Sequence, residues 1–427
     1  MANTKSEAGR GTHAPSALPR LLAASVRGVR RVRRPATPTA PAFDLAYVRS
    51  GPRSAVPIVV IPGGPGLGSV LPYRRFRRRA AALGLDIIMM EHRGVGLSRT
   101  DLEGRSLPLS AMRMVDVIDD LAAVLEREGV HRAYISGSSY GSYVAAAFGA
   151  RHPGLVAGML LDSALQSVAD RDAERAMIRE LFLDGDTRIT ASVRELLDDG
   201  SDPRILLGVL RAAYELGGEG LLEPLLRQRV HDARRTDRSG HRPRHDSRGH
   251  ASVWAALEAY VDKAESEAHV PGFYEFDLVG AIAFRELGFG PDPDGSALDP
   301  SLTYAAVADR FPRFAGEPFD LPAAAAGFDW PIVLLTGSRD LRTPAAVARR
   351  VAAAAPDTVL VEIDNGHSAL ESHPLALLHA LQRLSRGEQR RLPAESAMMN
   401  ALPRRGLVAG LPRLLTTGTR WEAALRP

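Results

Sequence analysis

Short runs of unbroken apolar residues recur along the chain: Ile58-Val59-Val60-Ile61, Ile87-Ile88-Met89-Met90, Ala133-Tyr134-Ile135, Met159-Leu160-Leu161, Ile332-Val333-Leu334-Leu335-Thr336 and Val359-Leu360-Val361-Glu362-Ile363. Runs of this length, bounded by Gly, Pro or charged residues and lacking polar alternation, read as strands buried on both faces. Between them the period changes. In residues 115–125 the apolar positions 117, 118, 121, 124 and 125 share one helical face, which predicts a helix packed on a sheet. Strands alternating with such helices predict an α/β fold with a mostly parallel sheet covered on both faces. From residue 166 to 328 the strand signal fades and helical runs at 176–183, 205–214 and 252–260 take over, so this stretch reads as a helical insertion.

The strand at 133–135 runs into Gly137-Ser138-Ser139-Tyr140-Gly141, and an Ala-rich helical run follows. A G-x-S-x-G at a strand-to-helix turn lifts the central hydroxyl out of the backbone, with glycines permitting the close approach the turn needs. Ser139 is therefore the expected nucleophile. An acid and then a histidine should follow, each just after a strand. Asp340 comes at the end of the 332–336 strand and His367 after the 359–363 strand, in Ser, acid, His order. His367 would take the proton from Ser139, and Asp340 would fix the imidazole tautomer. Asp162, at the end of another strand, is the alternative acid, and a capping role before the helix near Pro344 is the alternative for Asp340. His373 and His379 fall in the last predicted helix and read as solvent-facing.

An oxyanion needs donors. The N–H of Tyr140 follows the nucleophile directly, and the loop Pro62-Gly63-Gly64-Pro65-Gly66 follows the strand at 58–61. Gly64 is the first choice for the second donor and Gly63 the next. A further tight loop, Glu91-His92-Arg93-Gly94-Val95-Gly96-Leu97-Ser98, leaves the strand at 87–90 at the same edge.

Together these motifs resemble the proline iminopeptidase and tripeptidyl aminopeptidase branch of the α/β-hydrolases. That family carries H-G-G-P-G, D-Q-R-G-x-G-x-S, G-G-S-W-G, G-x-x-D-x-x-x-P and G-H, matched here at residues 62–66, 91–98, 137–141, 337–344 and 366–367. Pro62 stands for His, Glu91-His92 for Asp-Gln and Tyr140 for Trp, so the catalytic atoms are kept while proline specificity does not follow. The resemblance implies an α/β-hydrolase fold with an inserted helical cap that holds specificity, and acyl-enzyme chemistry on short peptides with a free N-terminus. It also implies an acid for the substrate ammonium: Glu286 in Ala281-Ile282-Ala283-Phe284-Arg285-Glu286 is the candidate, with pairing to Arg285 as the structural alternative and Glu215 and Glu219 as further candidates. Carboxylesterase, lactonase or amidase action on a small molecule uses the same machinery. A non-catalytic binding protein on this scaffold would lack a triad member, whereas all three are present in order.

The remaining features set boundaries. Residues 42–165 and 329–385 read as the two parts of the core, 166–328 as the cap, 1–41 as a basic disordered extension and 386–427 as a basic tail whose apolar residues around 407–415 pack on the core. Net charge is only +4 across 427 residues, and the basic residues cluster at the ends and in the His-rich tract at 231–250. That tract reads as an exposed loop and not a metal site, because its arginines repel a cation. No nucleic-acid partner is expected for the body. Zero cysteines exclude disulfides and a thiol nucleophile, and no cofactor motif is present. No run approaches the ~18 apolar residues of a membrane span, and the N-terminal arginines lead into Pro-Ala-Thr-Pro-Thr with no apolar export segment. The expected location is cytoplasmic.

Overall fold

In the computed structural model, which describes residues 18–239, 253–266, 269–290 and 292–404, the apolar runs become the middle of an eight-stranded sheet. Its first six strands are β1 (Val29–Arg34), β2 (Phe43–Ser50), β3 (Ile58–Ile61), β4 (Ile87–Met90), β5 (Ala133–Ser138) and β6 (Val156–Asp162). A small hairpin of β7 (His269–Val270) and β8 (Tyr274–Glu275) stands apart, and β9 (Ile332–Gly337) and β10 (Thr358–Ile363) complete the sheet. The order is β1-β2-β4-β3-β5-β6-β9-β10. Only β2 runs against its neighbours β1 and β4; from β4 to β10 the strands are parallel.

Parallel strands need crossovers, and helices supply them on both faces. Preceding the sheet is α1 (Leu18–Ala24); α2 (Arg74–Ala82), α3 (Met114–Arg127) and α4 (Tyr140–Arg151) follow within its first half. Residues alternate between two cores: Val59, Ile61, Ile88, Ile332 and Leu334 pack with α3 and α4, while Ile58, Val60, Ile87, Val333 and Leu335 face the other side. This is why those runs are apolar without a break. In α3 the expected face, Val117, Ile118, Leu121, Val124 and Leu125, is fully buried.

Between β6 and β9 the chain is mainly helical: α5 (Asp170–Arg179), α6 (Arg188–Asp198), α7 (Pro203–Gly217), α8 (Glu219–Ser239), α9 (Val253–Ser266), α10 (Phe276–Leu287) and α11 (Leu321–Ala324). These helices carry an apolar cluster of their own, with Phe182, Val193, Leu210 and Leu226 at its centre. Most of the His-rich tract, from residue 240 to 252, lies outside the described residues. After β9 come α12 (Ala345–Ala354), α13 (Ala369–Ser372), α14 (Pro374–Ser385) and α15 (Ser396–Ala401).

Two expectations need correction. The N-terminal extension was expected to be disordered to residue 41, yet residues 18–24 form α1 and residues 29–34 form the edge strand β1. The reason is that the arginines of Val29-Arg30-Arg31-Val32-Arg33-Arg34 find acids: Arg30 reaches Glu128 at 2.7 Å, Arg33 reaches Asp44 at 2.6 Å and Arg34 reaches Asp120 at 2.8 Å. Residues 1–17 lie outside the described residues. His373 was expected to face solvent and is instead fully buried at the start of α14, while His379 pairs with Glu395 at 2.6 Å. Beyond residue 386 the chain packs Leu392 and Met399 against the α14 side of the core, and the 407–415 segment lies outside the described residues.

Asp120 ties the edge to the middle. Fully buried on α3, it accepts from Arg93 Nε and Nη2, both at 2.7 Å, and from Arg34 Nε at 2.8 Å. Removing it strips the buried Arg93 guanidinium of its main carboxylate and leaves it, as an acid, only the partly exposed Asp116 at 3.2 Å, so Asp120→Ala should lower the unfolding free energy by about 3 kcal/mol in a urea titration. A loss below about 1 kcal/mol would mean that water compensates these charges.

Candidate active site

The site is built at the carboxyl ends of the parallel strands, where open α/β sheets bind ligands. After β5 the chain turns into α4 within one residue, and Ser139 takes φ 52° and ψ −121°, a conformation rare for a residue with a side chain. The turn is this tight because Gly137 and Gly141 lack side chains: a Cβ on Gly137 would lie 1.9 Å from the Gly141 carbonyl oxygen, and one on Gly141 would lie 2.3 Å from that of Ile61. The Ser139 N–H donates to the Asp162 carbonyl at 2.9 Å, holding the turn against β6.

His367 Nε2 lies 2.9 Å from Ser139 Oγ, and its Nδ1 lies 3.0 and 3.1 Å from the two carboxylate oxygens of Asp340. Asp340 is buried and also accepts from the N–H groups of Arg342 and Thr343, each at 3.0 Å, and from the Thr343 hydroxyl at 2.8 Å. Burial alone would raise its pKa, but the charge and hydrogen bond of His367, with the Thr343 N–H, hold it down to about 2. For His367, burial works against the imidazolium, while the Asp340 charge and hydrogen bond outweigh it and raise its pKa. The three side chains thus form one continuous line of hydrogen bonds, hydroxyl to imidazole to ionised carboxylate.

Asp162, the alternative acid, is engaged elsewhere. It accepts from the N–H groups of Ala369 and Leu370 at 2.9 and 3.0 Å and from Ser138 Oγ at 2.7 Å. It anchors the start of α13, and with it the loop that carries His367.

On the other side of the serine, Gly63 lies closest: a Cβ there would sit 3.3 Å from Ser139 Cβ. The Gly63-Gly64 peptide therefore runs beside the nucleophile, and it carries the Gly64 N–H. Across from it the Tyr140 N–H opens α4, where the helix dipole also favours negative charge.

Sequence reasoning missed a pair behind this corner. Tyr140 Oη lies 2.9 Å from His92 Nε2, and His92 Nδ1 lies 2.5 Å from the Arg93 carbonyl oxygen. A carbonyl only accepts, so Nδ1 carries the proton and Nε2 accepts from the tyrosine hydroxyl. Burial, with the Arg93 charge, outweighs the carbonyl bond and pushes His92 down to about 4, which keeps it neutral. Two departures from the family pattern, His92 and Tyr140, are thus bonded to each other across 48 positions.

Glu286 does not face the serine as a free carboxylate. It is buried, with Oε1 2.7 Å from Arg285 Nη2 and Oε2 accepting from the Met114 N–H at 2.7 Å. Those contacts pin α10 to the start of α3. Besides Asp340, Glu215 on α7 acts on the histidine: a Cβ on Gly366 would lie 2.8 Å from its Cβ, and its charge favours protonated His367. Arg342 Nε stands 3.5 Å from Glu215 Oε1 and acts on His367 in the opposite sense. Glu219 lies in the first turn of α8.

The strand order, the helices inserted after β6 and the tight turn at Ser139 are those of the α/β-hydrolase fold. Residues 56–201 match the family described as alpha/beta hydrolase fold. Over 124 residues the chain is 27% identical to a Leptolyngbya boryana protein named as a probable proline iminopeptidase, a stretch covering 29% of this chain and 36% of that relative. The match thus spans about a third of the relative's length. Similar solved structures include the proline iminopeptidase of Mycobacterium smegmatis, with 16% identity, TM-score 0.46 and coverage of 84% of this chain and 99% of that one. A thermophilic esterase from Thermogutta terrifontis is similar at 17% identity and TM-score 0.43, covering 84% and 99%. Among the described residues no group of acidic and histidine side chains is placed to hold a metal, and no helix is long and apolar enough to cross a membrane.

Two measurements follow from this geometry. A base must be neutral to accept a proton, so kcat/KM should rise with pH through an apparent pKa above the ordinary histidine value of about 6.5. Glu215→Gln should move that limb to lower pH and Arg342→Gln to higher pH; a shared direction would rule out the opposed charges. Separately, Tyr140→Phe, His92→Leu and the double variant delete the same bond, so a double-mutant cycle on kcat should give a coupling of about 1 kcal/mol. Additive losses would show that the two side chains act independently.

Proposed function

We propose that the protein is a serine hydrolase working through an acyl-enzyme, with Ser139 as nucleophile, His367 as general base and acid, and Asp340 as the group that orients His367. The observation that carries this reading is the 2.9 Å approach of His367 Nε2 to Ser139 Oγ with an ionised Asp340 on the opposite nitrogen. Ser139 Oγ attacks a carbonyl carbon as His367 takes its proton, and the oxyanion is held by the N–H of Tyr140 and that of Gly64, with Gly63 as the alternative donor. His367 then gives the proton to the departing nitrogen or oxygen. In the second half a water molecule attacks the ester in the same way, and the carboxylic acid leaves with Ser139 restored.

For substrate, we propose a short peptide with a free N-terminus, in the manner of a proline iminopeptidase. The partial likeness to the Leptolyngbya boryana relative supports this, as does a carboxylate facing the histidine. That carboxylate is Glu215, whose ion pair with Arg342 spans 3.5 Å, whereas both oxygens of Glu286 are held at 2.7 Å by Arg285 and the Met114 N–H. Recognition of the ammonium at Glu215 places the first peptide bond, and no later one, over Ser139.

Ser139→Ala should lower hydrolysis of an activated aryl ester by at least about 10³-fold and abolish labelling by a fluorophosphonate. Retained hydrolysis would displace Ser139 from its role. Prolyl, alanyl and tripeptidyl anilides should be cleaved much faster than their N-blocked analogues, and Glu215→Gln should raise KM for the free amines while leaving KM for aryl esters unchanged. Equal rates on blocked and free substrates would instead assign the site to ester, lactone or amide hydrolysis.

A further inference from the structure

The loop beside the serine is held from outside the core. Gly66 accepts a hydrogen bond from the Glu275 N–H at 2.9 Å, Gly68 donates to the Phe273 carbonyl at 2.8 Å, and Leu67 bridges to Tyr274 in antiparallel fashion. The β7–β8 hairpin, which belongs to the inserted segment, therefore lies against the oxyanion loop as an added strand would. Glycine makes this approach possible. A Cβ on Gly68 would lie 2.3 Å from the Gly272 carbonyl oxygen, and one on Gly66 would lie 2.8 Å from that of Glu275.

Beneath the loop the packing is incomplete. A cavity of about 20 Å³ separates Gly63, Gly66 and Leu67 from Met90, His92 and Tyr140. From Ser69 onward the loop is tied to the core, where Glu91 accepts from the Ser69 and Val70 N–H groups and Arg77 donates to their carbonyls, so residues 63–67 lie between this hollow and the hairpin.

What fixes the hairpin is the Glu275 side chain, which is fully buried. Its Oε2 accepts from the N–H groups of Gly96 and of Gly272, the latter at 3.0 Å. Its Oε1 accepts from Arg20 Nη2 of α1 at 2.7 Å and lies 3.4 Å from Arg99 Nη1. One carboxylate thus joins the loop after β4, the hairpin turn and the N-terminal helix. Arg99 continues the clasp to Asp277 on α10 at 2.8 Å. Charge-assisted bonds to buried N–H groups are strong, and loss of the charge takes from Arg20 its carboxylate partner and weakens the acceptor shared by the Gly96 and Gly272 N–H groups.

We infer that Glu275 is a positioning residue for the oxyanion hole: by clasping the hairpin it sets where the Gly63-Gly64 peptide stands relative to Ser139, so that the inserted segment and the hole are mechanically one unit. The inference rests on the serine-hydrolase reading only for its kinetic consequence. It follows that displacing the hairpin unmakes the hole even with Ser139, His367 and Asp340 in place.

Two variants test it in the full chain. Glu275→Gln keeps the shape and removes the charge; Gly68→Ala drives a methyl into the Gly272 carbonyl and leaves the Glu275 carboxylate itself unaltered. Hydrogen exchange read by mass spectrometry should show the amides of residues 63–68 exchanging at least tenfold faster in both, with β5 unchanged. With an aryl ester, kcat should fall at least tenfold while KM changes less than twofold, the pattern for a group that acts in the transition state. Exchange at residues 63–68 equal to that of the parent in a folded variant would overturn the inference whatever the activity. So would loosened exchange with kcat within twofold of the parent. Should the parent cleave no ester of the panel, the serine-hydrolase reading fails, and the exchange result still decides whether Glu275 positions the loop.

Discussion

The first turn of α4 passes the end of β3 with no room for a side chain, and the rest of the site depends on that contact. At Gly141 the carbonyl oxygens of Ile61 and Pro62 stand where a Cβ would meet them at 2.3 and 2.5 Å. This approach brings the helix that follows Ser139 against the strand that precedes Gly63. Ser139 and the loop at 62–66 are thereby set side by side, and the turn between β5 and α4 is forced into the backbone geometry seen at Ser139. Any larger residue at 137 or 141 would separate them before chemistry was considered.

A second constraint follows from depth. The loops leaving the carboxyl edge are irregular and lie beneath inserted helices, so their N–H groups meet little water and need acceptors in the protein. Buried carboxylates provide them. Asp162 takes the N–H groups that open α13, Glu91 takes those of Ser69 and Val70 at 2.6 and 2.8 Å, and Asp340 takes those of Arg342 and Thr343. Burial pushes Glu91 up to about 7 despite those donors, with the nearby Glu275 charge adding to the shift. Of these acids, Asp340 is the one facing a titratable ring, and its low pKa keeps it ionised wherever His367 is to act. The same residue type thus serves as loop anchor at several strand ends and as partner of the base at one.

How much of this can be read from sequence depends on whether the signal is local. The strands at 58–61, 87–90 and 332–336, the face of α3 and the order of Ser139, Asp340 and His367 are written in neighbouring residues, and the structure brings those three within hydrogen-bonding distance. Strand β1 was hidden because a run of arginines looks like a solvated tail until Glu128, Asp44 and Asp120 are placed opposite it. His92 and Tyr140 each look like simple replacements, and their bond exists only once β4 and β5 flank β3. Glu275, between Tyr274 and Phe276, carries no local mark, because its partners lie at positions 20, 96 and 99.

The fate of Glu286 shows how the inserted segment is attached. Helix α10 has two working faces: Val279, Ala281 and Ile282 belong to the core under the sheet, while Phe276 and Phe284 pack with Tyr304 and Phe311 in a separate aromatic cluster. Its end is pinned to the start of α3 by the Glu286 bond to Met114, and its beginning is held by Arg99 on Asp277. A helix fixed at both ends and buried on both faces cannot swing as a lid without opening the main core. Helices α5 to α9 are different, since Phe182, Val193, Leu210 and Leu226 give them a core of their own. Those helices bear Glu215, whose carbonyl oxygen accepts from Arg339 Nε at 3.4 Å, so the carboxylate proposed to choose the substrate is seated against the loop that carries Asp340, while the clasp on the loop beside Ser139 is seated at the α10 end of the insertion.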